Sequence, residues 1–254
     1  MTKAIILSAG QGQRLKPLTD DRPKGMVAVA GETIIERQLR LFRRLGVTDV
    51  AIVKGFCASS IPDHGAAHFM NPEFATTNMV VSLFCAEPFL ASGAPVIVSY
   101  GDILYSGRVL RAMLAATAPV AVAVDLDWKG YFGERFDDPY EDAESLVLGP
   151  DGRLVSIGQR DPAPSDVQAQ YIGLIRLAPE GLAAIRAVRD RVLGTDVPIG
   201  WGRPWPKAFM TDLLQELVRQ GIDVRGVPIR GEWCEIDSPR DFSLAERRLA
   251  TFTD

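Results

Sequence analysis

The stretch Ala4-Ile5-Ile6-Leu7-Ser8-Ala9-Gly10-Gln11-Gly12-Gln13-Arg14-Leu15 decides the fold. Its first four residues are aliphatic without interruption and lack the polar alternation of a strand that faces water. Such a run, closed by a glycine-rich turn, reads as a fully buried strand of a parallel sheet. The same texture returns at Val50-Ala51-Ile52-Val53, at Pro95-Val96-Ile97-Val98-Ser99-Tyr100 and at Pro119-Val120-Ala121-Val122-Ala123-Val124. Helical spacing lies between these runs. Residues Thr33 to Leu45 place Ile34, Ile35, Leu39, Leu41, Phe42 and Leu45 on one face and stop at Gly46. Asn78 to Leu90 reads as a helix with Met79, Leu83 and Phe84 on one side, and Val109 to Ala116 as another. Strands alternating with helices predict an α/β protein, a sheet covered by helices on both faces.

The texture changes after Asp125. Residues 128–145 mix aromatics with acids. Leu146-Val147-Leu148 and Leu154-Val155-Ser156-Ile157 flank a Gly149-Pro150-Asp151-Gly152 turn and read as a hairpin. A strand is expected over 170–177 and a helix over 179–192, with Leu182, Ile185 and Val192 inward. A helix over 211–220 follows, capped by Thr211, then a strand over 224–229. The last helix, 239–252, is started by Ser238-Pro239. No repeat or low-complexity linker divides the chain. The expectation is one domain over 1–254, with 1–125 mainly binding a nucleotide and 126–254 mainly binding an acceptor.

Composition bounds the partners. With 254 residues, 47% hydrophobic, the chain can bury a sizeable core, and a net charge of -4 argues against a general nucleic-acid binder. Cys57, Cys85 and Cys234 are scattered in apolar surroundings and read as reduced thiols of a cytoplasmic protein. The N-terminus lacks the layout of a signal peptide, and no run approaches the ~20 apolar residues of a membrane span. A homo-oligomer is left open.

Ligands of open α/β sheets bind at the carboxyl ends of strands, where the loop Gly10-Gln11-Gly12-Gln13-Arg14 and the pair Gly101-Asp102 both lie. Glycines let successive N–H groups turn toward one anion, and Arg14 adds a fork suited to phosphate oxygens. The dinucleotide fingerprint is absent because position 15 is leucine, and so is the Gly-Lys-Ser/Thr of a Walker loop. Pro17-Leu18-Thr19 and Arg22-Pro23-Lys24-Gly25-Met26 follow within a few residues. Standing alone, Lys24 would read as a solvated surface lysine. Beside this loop it reads as an ammonium brought to a triphosphate.

These motifs resemble the N-terminus of the nucleotidyltransferases that make sugar nucleotides and CDP-alcohols. The resemblance continues through Gly31, the helix start at Thr33–Gln38, Gly101-Asp102 and Glu235-Ile236-Asp237. It implies a three-layer α/β/α, Rossmann-like (GT-A-like) fold, its mixed sheet mostly parallel, with a small inserted substrate-side portion. It also implies a Mg²⁺-bound triphosphate, in-line attack by an acceptor phosphate on the α-phosphorus, and release of pyrophosphate. Leu7, Ala9, Gly10, Gln11, Gly12, Gln13, Arg14, Lys24 and Gly101 are then expected around the nucleotide. Lys24, Arg14 and Asp102 carry the chemistry. Attack of one anion on another needs charge neutralisation and alignment. Mg²⁺ takes one or two carboxylates beside phosphate oxygens, and Asp102 and Asp237 are its expected ligands. Glu235, two positions from Asp237 on the same strand face, is the third candidate. A helix cap before Pro239 competes for Asp237.

The segment Asn78-Met79-Val80-Val81-Ser82-Leu83 differs from the element of sugar-phosphate members. It is similar to the branch with bacterial phosphocholine and phosphonate cytidylyltransferases. That resemblance implies CTP, and Asn78 and Ser82, one helical turn apart, can face one ligand. Asn78 as a helix cap is the competing reading. On the acceptor side Trp128, Tyr131, Tyr140, Trp201 and Trp205 offer an aromatic wall, and Asp142 and Glu144 offer anions. This combination suits an ammonium head. Tyr171 lies on the returning strand beneath it. The expected acceptor is phosphocholine, 2-aminoethylphosphonate or another small amino- or amide-bearing phosphate. The alternatives are a sugar-1-phosphate nucleotidylyltransferase using dTTP, UTP or GTP, and a non-catalytic nucleotide-binding regulator.

Overall fold

A computed structural model describes residues 1–252. In chain order, β1 (Lys3–Ser8) leads through the glycine-rich loop to the small hairpin β2 (Ala28–Val29) and β3 (Glu32–Thr33), then α1 (Ile34–Arg44), β4 (Val50–Lys54) and β5 (Ala67–Met70). Next come α2 (Met79–Cys85), the single turn α3 (Glu87–Leu90), β6 (Val96–Tyr100), β7 (Ile103–Tyr105), α4 (Gly107–Ala115), β8 (Val120–Asp125) and α5 (Trp128–Arg135). The second half holds β9 (Leu146–Leu148), β10 (Leu154–Ile157), β11 (Gln170–Leu177), α6 (Pro179–Val192), α7 (Met210–Arg219), β12 (Val224–Ile229), β13 (Trp233–Glu235) and α8 (Pro239–Leu249).

Seven strands form the central sheet in the order β12-β8-β11-β6-β1-β4-β5. All pairings are parallel except those of β11, which runs antiparallel to β6 and β8. The uninterrupted aliphatic strands are explained by burial on both faces. Ala4 and Ile6 of β1, Val50 and Ile52 of β4, and Ala121 and Ala123 of β8 face one core with α1, α4, α5 and α8. Ile5 and Leu7, Ala51 and Val53, and Val120, Val122 and Val124 face the other with α2, α6 and α7. The period of two thus divides each strand between two helical layers. The architecture is the mostly parallel three-layer α/β/α sheet that the sequence implies.

Thr33 caps α1, its side chain accepting from the Glu36 backbone while Glu36 reaches back to Thr33 N. Three sequence readings are corrected. The expected 78–90 helix breaks at Ala86, because Pro88 cannot continue the hydrogen-bond ladder; α2 buries Leu83 as expected, with Val80 and Ser82 beside it, and Met79 and Phe84 pack half-buried against the same core. Thr211 does not cap α7. The helix starts at Met210 and the Asp212 carboxylate accepts from Phe209 N at 2.9 Å. Residues 128–135, read only as mixed aromatics and acids, form α5. Three pieces missed in sequence are the β2–β3 hairpin, the edge strand β5 and the ribbon of β7 with β13.

That ribbon positions the site. Ile103 pairs with Glu235 and Tyr105 with Trp233, and Ile236 N donates to Asp102 O at 2.9 Å. The chain segments around Asp102 and Asp237 are therefore held side by side above the carboxyl ends of β1 and β6.

Candidate active site

The carboxyl ends of β1 and β6 meet under a strict steric limit. Gly101 N donates to Leu7 O at 2.8 Å, and a Cβ on Gly101 would lie 2.7 Å from that oxygen, so only glycine lets the two strand ends approach. Buried Gln38 of α1 donates Nε2 to both Tyr100 O and Ile103 O at 2.8 Å, which fixes the turn bearing Asp102. The loop after β1 is tied by buried Thr19, whose hydroxyl donates to Gly12 O at 2.8 Å. Gly12 takes φ +65°, and a Cβ there would sit 2.6 Å from Lys24 Cγ, so the Lys24 stem runs along the glycine backbone. The turn after β4 supports the loop from behind: Phe56 N donates to Ala9 O at 2.9 Å.

Around these strand ends lies a cavity of about 370 Å³, lined by Leu7, Ala9, Gly10, Gly12, Gln13, Arg14, Lys24, Asn78, Ser82, Gly101 and Asp102 among others. Most of the residues expected around a nucleotide are thus brought together. Gln11 is not among the lining residues and accepts a hydrogen bond from Gln13 at 3.0 Å on the exposed side. Asn78 Oδ1 accepts from Met79 N at 2.8 Å, and its amide lies 3.5 Å from Lys207 O, so its side chain serves the start of α2. Ser82 Oγ accepts from buried Asn71 Nδ2 at 2.9 Å, and the same amide holds Thr77 Oγ1 at 3.0 Å. Ser8, Gly25, Phe74, Thr77, Met79 and Tyr100 line the cavity without having been singled out. Only their position beside the loop, shortly before or within the Asn78–Leu83 segment, or next to Gly101-Asp102 could have marked them.

At the cavity mouth four charged groups meet. Lys24 Nζ donates to Asp102 Oδ2 at 2.8 Å and also to Asp237 Oδ1, which lies 213 residues away in sequence. Arg14 Nη2 donates to the second oxygen of Asp237, and its Nη1 stands 4.0 Å from Asp142. Burial opposes the Lys24 charge, but Asp102 and Asp237 outweigh it and raise its pKa above the usual lysine range. Burial likewise opposes the Asp237 charge, and Lys24 with Arg14 lowers its pKa below the usual carboxylate value. Asp102 and Asp237 each present one oxygen to a single cation, the Lys24 ammonium. Two carboxylates converging in this way match the donor set of Mg²⁺ shared with phosphate oxygens. Among the described residues no group of three or more His, Cys, Asp or Glu side chains is placed to hold a metal ion. Glu235 departs from the expectation: its carboxylate turns away to the guanidinium of Arg135, because a buried acid beside two others needs its own cation. Burial pushes its pKa up to about 7 even against that partner.

The acceptor-side residues divide. Trp128 is 1% exposed and packs edge to face on Phe132 and Tyr140, and Tyr131 is equally enclosed. Trp205 is buried against Phe84 in the opposite layer, and Trp201 spends its indole N–H on Ile157 O at 2.8 Å. The expected aromatic wall is therefore largely core packing, which a large apolar ring favours over solvent. Half-buried Tyr140 remains at the margin. Tyr171 stands edge to face with Tyr100, ring centroids 5.8 Å apart. Gly173, at φ +84°, admits the Tyr100 ring where a Cβ would come within 2.6 Å.

Glu144 lies near this tyrosine pair. Burial pushes its carboxyl up to about 7, only partly offset by a hydrogen bond from Thr211 and the charge of Arg160. A folded-state pKa above the unfolded value means stability that is complete below about pH 4.5 and lost as pH rises through about 7. Glu144→Gln is therefore expected to match the wild type in stability at pH 5. At pH 8 it should exceed it by roughly 1–3 kcal/mol. Denaturant titrations at both pH values check this, and equal stability at pH 8 would contradict it.

Three likenesses follow the geometry. CTP:phosphoglutamine cytidylyltransferase of Campylobacter jejuni subsp. jejuni is 32% identical over 250 residues, spanning 95% of this chain and 98% of that protein. CMP-5'-(3-aminopropyl)phosphonate synthase of Streptomyces rubellomurinus is 30% identical over 267 residues, spanning 98% of this chain but 39% of the other. The solved structure of CTP:phosphocholine cytidylyltransferase from Streptococcus pneumoniae shares the fold, with a TM-score of 0.72 at 22% identity over 98% of this chain and 99% of that one. The profile of the MobA-like NTP transferase domain matches residues 4–163, the span that holds the glycine-rich loop, Lys24 and Asp102, and the chain belongs to that family.

Proposed function

We propose that this protein transfers CMP from CTP to a small phosphorylated acceptor bearing an amide or amino group, with release of pyrophosphate. The observation that carries this reading is the convergence of Arg14, Lys24, Asp102 and Asp237 at one cavity mouth. In this reading an oxygen of the acceptor phosphate attacks the α-phosphorus, and the bond from that phosphorus to the bridging oxygen of the β-phosphate breaks. The backbone of Gly10–Gln13 and the Arg14 fork hold the triphosphate, and Lys24 offsets the charge that gathers at the transferring phosphorus. Asp102 and Asp237 would hold Mg²⁺, which supplies charge neutralisation to the phosphate oxygens. Asn78 and Ser82 edge the base. Residues 1–125 contribute mainly the nucleotide side, and 126–254 the acceptor side and the second metal acid.

Two relatives that cover nearly the whole of this chain, the CTP:phosphoglutamine cytidylyltransferase and the CMP-5'-(3-aminopropyl)phosphonate synthase, support CTP. The acceptor side supports a polar head over a quaternary ammonium. The rings of Trp128, Tyr131 and Trp205 are enclosed in the core layers and are not presented to a methylated cation. Asp142, Glu144 and Tyr171 are the acceptor contacts in this reading, with Arg160 beside Glu144 giving the region both signs of charge.

Pyrophosphate release with Mg²⁺, each nucleoside triphosphate and a panel of acceptors tests the proposal. CTP with a phosphorylated amide or aminoalkyl phosphonate is expected to exceed UTP by at least about a hundredfold, the discrimination available to a site that hydrogen-bonds the base. Turnover of UTP or dTTP with a hexose 1-phosphate overturns it. Nucleotide binding without turnover assigns the chain to a regulatory role instead.

A further inference from the structure

We infer that Arg135 is a positioning residue that sets the Asp237 carboxylate by gripping the chain on both sides of it. This rests on the reading of Asp237 as a metal-holding acid. Arg135 ends α5, and its side chain is 1% exposed, enclosed by the rings of Tyr131, Phe132 and Phe136. The guanidinium forks two ways. Nη1 donates to Glu235, while Nε and Nη2 donate to the two oxygens of Asp241 at 2.8 and 3.3 Å. Asp241 in turn accepts from Asp237 N at 3.1 Å, from Ser238 N at 2.9 Å and from Ser238 Oγ at 3.0 Å. The turn carrying Asp237 is therefore fastened by a side chain two residues before it, and by backbone N–H groups at Asp237 itself and just after it.

Two features separate this from packing alone. A buried cation is a costly way to fill a core, and an apolar residue of similar volume often serves stability as well or better. Here the cation instead joins two acids that flank one functional carboxylate. Glu235 also lies close enough to feel the charges of Asp102 and Asp237. By holding Glu235, Arg135 keeps a third acid from the cation position that Lys24 shares with Asp102 and Asp237. A planar fork makes both contacts at once, and a lysine ammonium does not reproduce it.

The test measures Mn²⁺ binding in the presence of CTP, by the spin-resonance signal of free Mn²⁺. It compares wild type, Arg135→Lys, Glu235→Gln and Asp237→Asn, with thermal melts alongside. Arg135→Lys is expected to weaken Mn²⁺ binding about tenfold, the scale seen when partners of metal-holding carboxylates are lost. Turnover at saturating metal should stay close to wild type. Glu235→Gln, which leaves the Arg135–Asp241 pair intact, should move metal binding in the same direction by less, and it carries the test if Arg135→Lys does not fold. Wild-type Mn²⁺ affinity in both variants, with loss in Asp237→Asn, overturns the role of Arg135 and leaves that of Asp237 standing. Wild-type affinity in Asp237→Asn overturns the metal reading and this inference with it.

Discussion

Replacing Lys24 by methionine is expected to slow pyrophosphate release from CTP and acceptor about a thousandfold, the loss that follows removal of one preorganised donor at developing charge. Lys24 is the only group that touches both Asp102 and Asp237 among the described residues, and its stem is threaded along Gly12. Binding of the metal–CTP complex should fall far less than turnover, because the ammonium and a divalent cation compete for the same two carboxylate oxygens. Without metal, the variant leaves Asp102 without its ammonium and Asp237 with Arg14 alone, so it should melt below the wild type at pH 7, and Mn²⁺ should narrow the gap.

The pH dependence has a defined sign. The lowered pKa of Asp237 contributes stability that is present above the unfolded carboxylate value and is lost as pH falls through the folded value. Lys24, with its raised pKa, stays charged throughout that window. The stability gap between wild type and variant should therefore close on acidification. Turnover within a few-fold of wild type, measured by coupled pyrophosphate assay, would remove Lys24 from the chemistry.

Asp125→Ala is expected to cost about 3–5 kcal/mol of folding stability, the scale of breaking a buried charged network. Asp125 is wholly buried at the end of β8. One oxygen accepts from Asp127 N at 3.0 Å and Gly231 N at 2.9 Å, and the other from Trp233 Nε1 at 2.8 Å. Removing the carboxylate strands all three donors away from water. They belong to the start of α5 and to the segment that leads through β13 to Asp237, so activity should fall with stability. A chain of this size should lose on the order of 10 °C in melting temperature. Asp125→Asn keeps the shape but turns one acceptor into a donor, and should fall between wild type and alanine. A change below about 1 kcal/mol in chemical denaturation of Asp125→Ala would show that water or rearrangement satisfies these donors.

How much was legible follows from which interactions are local. The strands β1, β4, β6 and β8 are continuous aliphatic runs because both faces are covered, and burial on both faces is visible as composition. The caps of α1 and α8 are short-range hydrogen bonds and could be read from Thr33 and Ser238. The aromatic segment at α5 was less legible. Tyr131 and Trp128 look the same in sequence whether they line a pocket or fill a core, and only the neighbours supplied by α8 and β13 decide which. Glu235 shows the same limit. Alternation placed it on the strand face of Asp237, but its direction was decided by Arg135, 100 residues earlier.

The order of elements, the two-faced sheet and the glycine loop at the end of β1 were thus determined by the sequence, since each depends on residues within one or two turns of one another. Whether Lys24, Asp102 and Asp237 share a cation position was decided by tertiary structure. The pairing of β7 with β13 brings Asp237 beside Asp102, and the missing side chains of Gly12 and Gly101 let the Lys24 stem and the β1 end close in on them. Strand pairing between distant segments costs chain entropy that no local pattern records. The charges at its far end become neighbours only after the core on both faces has compensated that cost.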